Sequence, residues 1–172
     1  MKLSFAIAEP SDAAELAGLR NAAAEELTRR YGVGSWSGEA TERGVLFGMR
    51  HGRVVIVRQA RRIAGTLLLQ SKKPWAIDIG YFSPVKKAIY LTNMAIRPGL
   101  QRRGIGRALL EEAERQVATW PADAIRLDAF DAPAGAGGFY FRCGFREVGR
   151  VTYRNAPLIY FERLVAVEEN PL

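Results

Sequence analysis

The chain has 172 residues, 48% of them apolar, and a formal net charge of +7. That length fits one domain with its own core, residues 1–172, and the single cysteine, Cys143, excludes an intramolecular disulfide and gives no sign of an oxidising compartment. No apolar run approaches a membrane span, the N-terminal stretch turns acidic too soon for a signal peptide, and no basic and aromatic alternation builds a nucleic-acid groove, so a cytoplasmic protein without membrane or nucleic-acid partners is expected.

In chain order, LSFAIA (3–8) predicts a first strand. Pro10, Ser11 and Asp12 then signal a helix start, with Asp12 and Glu15 spaced as a capping box. Leu16, Leu19, Ala23 and Leu27 form one apolar stripe, which carries this helix to about Arg30. The glycine-rich stretch 31–44 predicts a loop entering a short helix that ends near Met49. Tyr31 and Trp36 in that loop either line a substrate pocket or simply pack onto the domain. RVVIVRQ (53–59) and IAGTLLLQ (63–70) predict a hairpin of two strands. Residues 71–87 look irregular, and AIYLTNMAI (88–96) predicts a central strand. A long helix follows at 105–119, with Leu109, Leu110, Ala113 and Val117 inward and Glu111 and Arg115 as an exposed i,i+4 pair. IRLDAF (125–130) predicts a strand, GAGGFYFRCGF a short helix broken at Gly144, and residues 146–153 and 157–165 two final strands.

Between the central strand and the long helix lies RPGLQRRGIGR, in which Arg97, Arg102, Arg103 and Arg107 surround three glycines. No acid appears before Glu111, although a helix start carries partial positive charge and favours acids. Strand, glycine loop and helix together form an anion-binding arrangement. A Walker loop is excluded because Ile105 stands where the phosphate-binding lysine is needed. A dinucleotide fingerprint is excluded because Leu109 occupies its third glycine position.

Gln101-Arg102-Arg103-Gly104-Ile105-Gly106 resembles the Q/R-x-x-G-x-G/A signature of the GNAT N-acetyltransferases. About 34 residues on, GAGGFYFRCGF is similar to the family's A-x-x-(F/L/Y)-Y-x-x-x-G-F element, and the order of elements matches over roughly residues 3–164. The resemblance implies an α/β fold: a single GNAT-type domain whose mixed, mostly antiparallel central sheet is flanked by helices and has two splayed parallel central strands, 88–96 and 125–130. It implies acetyl-CoA as co-substrate, no metal, and direct acetyl transfer to a small-molecule or peptide amine. Its pyrophosphate would meet the loop and helix start at Gln101, Arg102, Arg103, Gly104, Ile105, Gly106 and Arg107. Its pantetheine arm would meet Met94, Ala95 and Ile96. Tyr140 matches the family's proton-donating tyrosine; taken on its own, without the motif around it, it reads as a core aromatic with a satisfied hydroxyl.

Two positions depart from the family pattern. Tyr90 stands near where many relatives carry a glutamate base, leaving Asp78, Asp128, Asp131 or an ordered water chain as alternatives. Pro133 stands where many relatives carry a cofactor-contacting asparagine. His51 and Cys143 cannot form a recognisable zinc site and are expected to have no catalytic role. Acceptor recognition is expected from the loops 31–50 and 71–87. A non-catalytic acyl-CoA sensor or complex subunit is the alternative function, and a homodimer is compatible with the sequence.

Overall fold

The computed structural model describes residues 2–165. Seven strands form one sheet: β1 (Leu3–Ile7), β2 (Arg53–Gln59), β3 (Arg62–Gln70), β4 (Ala88–Ile96), β5 (Ala124–Phe130), β6 (Arg146–Tyr153) and β7 (Ala156–Leu164). Their order across the sheet is β1-β2-β3-β4-β5-β7-β6, and every neighbouring pair is antiparallel except β4 and β5. Four helices accompany them: α1 (Ala13–Tyr31), α2 (Glu42–His51), α3 (Ile105–Ala118) and α4 (Gly137–Arg142).

The continuous apolar runs of β2 and β3 follow from burial on both faces. Val54, Ile56 and Leu68 meet Leu16, Leu19 and Val45 of α1 and α2. Val55, Val57, Leu67 and Leu69 turn the other way, onto Leu109, Leu110, Ala113 and Val117 of α3. A third, smaller core joins Ile77 and Phe82 of the irregular segment to Tyr90 and Tyr160.

Two local pairings differ from the sequence expectation. Asp12 and Glu15 do not form a capping box. Asp12 instead accepts the Glu9 N–H at 2.9 Å and pairs with Arg58, while Glu15 accepts the Ile63 N–H at 2.7 Å. On α3, Arg115 pairs with Glu112 at 2.8 Å rather than with Glu111. No helix among the described residues is long and apolar enough to cross a membrane.

Candidate active site

The parallel strands β4 and β5 pair only at Ala88 with Ala124, Ile89 with Ile125 and Tyr90 with Arg126. Beyond that root they part, and a cleft of about 500 Å³ opens between them. Met94 and Ala95 of β4, Asp128 and Phe130 of β5, and Tyr140 of α4 line it, together with Arg20 of α1 and Trp36. A bulge helps shape this opening. Against β3, Leu68 faces Thr92 but Thr66 faces Ala95, so β4 carries one extra residue. Asn93 absorbs it at φ +55°, a left-handed conformation that asparagine tolerates better than most residues. The Arg20 guanidinium holds the Asn93 side chain, with Nη2 donating to Oδ1 at 3.0 Å. Just past β4, Arg97 sends its N–H to Ala64 on the β3 side at 2.8 Å. Alternation along the strand therefore turns the N–H and C=O of Ile96 toward the gap.

The loop after β4 turns through three left-handed residues, Gly99 (φ +87°), Arg102 (φ +61°) and Gly104 (φ +83°). The first intrahelical bond of α3 runs from the Ala108 N–H to the Gly104 carbonyl at 3.1 Å. Ile105, Gly106 and Arg107 thus begin a helix with N–H groups that have no intrahelical acceptor. The Ile105 side chain is buried, so this residue offers the loop only its backbone. Gly106 serves close packing: a Cβ there would lie 2.9 Å from Phe139 Cζ and 3.7 Å from Met94 Cε. The Gln101 amide turns back to the Ile96 carbonyl at 3.4 Å.

The four arginines do not act as one cluster. Arg97 is committed to the Ile63 carbonyl at 2.9 Å and to Glu15 at 3.3 Å, away from the helix start. Arg107 donates to the Arg142 carbonyl at 3.1 Å. Arg102 and Arg103 are exposed and make no side-chain hydrogen bond or ion pair among the described residues.

Tyr140 is buried against the rings of Phe139, Phe145 and Phe161, and its hydroxyl donates to Met94 Sδ at 3.5 Å. Burial, followed by the nearby Asp128 charge and then Cys143, pushes its phenol well above the ordinary tyrosine value, so it keeps its proton at neutral pH. Asp128 lines the same cleft, and burial pushes its carboxyl above the usual aspartate range. It has no hydrogen-bond or ion-pair partner among the described residues. The other two aspartates singled out in the sequence are occupied. Asp78 caps the Gly80 N–H at 2.9 Å, and Asp131 pairs with Arg150 at 3.4 Å.

Tyr90 is buried at the root of the splay, where its hydroxyl accepts from Arg126 at 3.4 Å. The Cys143 thiol is buried, which pushes its pKa up, and His51 is exposed against Phe47. Trp36 lines the cleft, edge-on to Phe130 at 5.8 Å, whereas Tyr31 stands outside it. Of the two loops expected to read the acceptor, only part of the first reaches the cleft, through Ser35, Trp36, Gly38, Glu39 and Ala40. Residues 71–87 do not line it, because Ile77 and Phe82 are drawn into the core around Tyr90 and Tyr160. Arg20 and Asn93 were not singled out in the sequence; an asparagine inside an otherwise apolar strand was the available signal. Among the described residues no group of three or more His, Cys, Asp or Glu side chains is placed to hold a metal ion.

A seven-stranded sheet that opens at one parallel pair, beside a glycine loop and helix start, is the arrangement that the sequence resemblance implied. Residues 50–147 match the family model of the acetyltransferase (GNAT) domain, and the chain belongs to that family. Among solved structures it is similar to the ribosomal-protein-S18-alanine N-acetyltransferase from Escherichia coli, at 17% identity over 99% of each chain and a TM-score of 0.71. Ard1 from Thermoplasma volcanium is similar at 14% identity over 96% of this chain and 99% of that one, TM-score 0.73. So is yncA from Salmonella typhimurium, solved with its cofactor acetyl-CoA, at 14% identity over 99% and 98%, TM-score 0.70. At these identities the likeness is one of fold. No curated protein matches the chain.

Proposed function

We propose that the protein is an N-acetyltransferase that passes an acetyl group from acetyl-CoA directly to an amine. One observation carries this reading: a protonated buried phenol and an unpaired carboxylate line one cleft, at the point where the sheet opens beside a glycine loop. The cleft and loop suit the co-substrate. At the open edge of β4 the main-chain groups of Met94 and Ile96 suit pairing with an extended arm as an added strand would, while Ala95, in register with Thr66 of β3, lines the cleft between them. The turn from Gln101 to Gly104 and the N–H groups of Ile105, Gly106 and Arg107 suit a pyrophosphate, and Arg102 and Arg103 are free to add charge-assisted contacts to phosphate oxygens.

Acetyl-CoA would supply a thioester carbonyl open to attack by a neutral amine. Asp128 takes the proton that the amine must lose, and its raised pKa makes it a better base than an exposed aspartate. Tyr140 holds a proton at Oη for the departing sulfur. A main-chain N–H at Met94 polarises the carbonyl, and the cleft brings the reactants together.

Calorimetry with acetyl-CoA, dephospho-CoA and pantetheine tests the loop assignment. Micromolar binding of acetyl-CoA that weakens as phosphates are removed is expected, and no binding at millimolar ligand would refute it. Thiol release across a panel of amines then tests turnover. Binding without release from any amine would favour a sensor of acyl-CoA over an enzyme.

A further inference from the structure

The acceptor side of the cleft carries charges of both signs. Arg20 of α1 supplies the cation, and Glu39 and Asp128 supply the acids. Arg20 is the unusual member. Four other arginines shielded from solvent have carboxylates: Arg58 meets Asp12 at 2.5 Å, Arg97 meets Glu15 at 3.3 Å, Arg126 meets Glu162 at 3.0 Å and Arg163 meets Glu114 at 2.7 Å, while Arg53 has none but is taken up by Gln116, Thr119 and the Trp120 ring. Arg20 has no acidic partner among the described residues, and its side-chain hydrogen bond goes to the neutral Asn93 amide. Burial works against its charge, which lowers its pKa, and nothing of opposite sign offsets that cost. A guanidinium has several N–H donors in a planar fork suited to a carboxylate, and the contact to Asn93 uses one of them.

We propose that Arg20 holds an anionic group of the acceptor, and that the acceptor is a small zwitterion: a primary amine with a carboxylate a few bonds away. The inference rests on the acetyltransferase reading above. The carboxylate sits on Arg20 and the amine faces Asp128. A compact acceptor suits this space: Arg20, Asp128 and Tyr140 line one cleft of about 500 Å³, which the acceptor shares with the thioester. Ala23, Ala24, Leu27 and Trp36 border the same space and leave room for a modest apolar side chain.

The test compares kcat/KM for L-alanine, L-phenylalanine and β-alanine with the matching carboxamides, and includes a dipeptide amide whose second residue is aspartate. Acetyl-CoA affinity is measured in parallel on every variant. The free carboxylates are expected to be favoured by roughly tenfold or more. Arg20→Gln should bring that ratio near one, and Arg20→Lys should recover part of it. A preference confined to the acidic dipeptide would overturn the free amino acid as acceptor and place the carboxylate on a peptide side chain. Equal rates for carboxylates and carboxamides would overturn the inference. So would a ratio that survives Arg20→Gln, or an equal loss of kcat on both substrate types, which would mark Arg20 as a clamp on Asn93 only. If no amine in the panel turns over, calorimetry with N-acetylated amino acids and their amides decides the matter, and absence of carboxylate-dependent binding overturns the inference. Failure of acetyl-CoA itself to bind would refute the acetyltransferase reading, a separate outcome from indifference to the carboxylate.

Discussion

Asp128 and Tyr140 share one cleft, and burial raises the pKa of both, with opposite consequences for function. For Tyr140 it secures the proton to be donated. Tyr140→Phe should lower kcat by roughly 100-fold, the usual size of a lost general acid, while acetyl-CoA affinity stays within about threefold. Steady-state kinetics with calorimetry checks this, and unchanged kcat would remove Tyr140 from the donor role. For Asp128 the raised pKa means that the folded protein binds a proton more tightly than the unfolded chain. Stability from this group is therefore present at low pH and lost as pH rises from the ordinary aspartate value through the raised one. At neutral pH the ionised carboxylate is a cost to folding and, in the proposed mechanism, the base that takes the amine's proton. Asp128→Asn should raise Tm at pH 7 and lower kcat by about 100-fold or more. It should also abolish the acid limb of the kcat/KM profile, where activity grows as Asp128 ionises. A lower Tm, or an acid limb that persists, would show that another group is the base.

The two glycines that frame Ile105 have different physical reasons to be glycine. Gly104 needs its backbone conformation, with φ at +83° and open space where a Cβ would project, whereas Gly106 needs the space that Phe139 occupies. Gly104→Glu should keep a folded protein, costing about 1–2 kcal/mol for the left-handed conformation. Its charge should weaken acetyl-CoA binding by at least about tenfold, because it would face the pyrophosphate that the proposed function seats at this helix start. Gly106→Val should instead destabilise by roughly 1–3 kcal/mol through overpacking against Phe139. Thermal melts and calorimetry on both variants separate the effects. This contrast also marks how far the elements could be read from sequence. Continuous apolar runs located β2, β3 and the first half of β4, which are buried on both faces, and a helical stripe located α3. Spacing rules failed where a partner arrives from far along the chain. Asp12 and Glu15 look like a local cap until the sheet brings Arg58, Ile63 and Arg97 beside them. Tyr140 and the glycine loop were legible as contiguous motifs. Selecting Asp128 among three aspartates required knowing that Asp78 and Asp131 were already occupied.

Across the whole molecule, the opening between β4 and β5 divides the sheet into β1-β2-β3-β4 and β5-β7-β6, joined by three residue pairs. The last of these, Tyr90 with Arg126, is also where a buried polar cluster sits. Arg126 faces Glu162 across β5 and β7 and bonds it at 3.0 Å. It also donates to the Ser83 carbonyl at 2.6 Å, while the Ser83 N–H reaches both Glu162 oxygens at 3.2 Å. With Arg126 and Glu162 both buried, removing one partner strands the other's charge. Glu162→Leu should therefore cost about 3–5 kcal/mol, whereas Arg126→Met with Glu162→Leu should recover most of it, because two apolar groups need no pairing. For a chain of this size the single variant should melt roughly 6–20 °C lower. The cluster fixes the root from which the strands diverge, so the cleft should respond as well. Acetyl-CoA at 100 times its Kd should stabilise the wild type by about 2.7 kcal/mol. The double variant, measured at the same ligand concentration, should regain its Tm yet show a smaller ligand increment. An equal increment would mean that the cluster stabilises the sheet without setting the angle at which it opens.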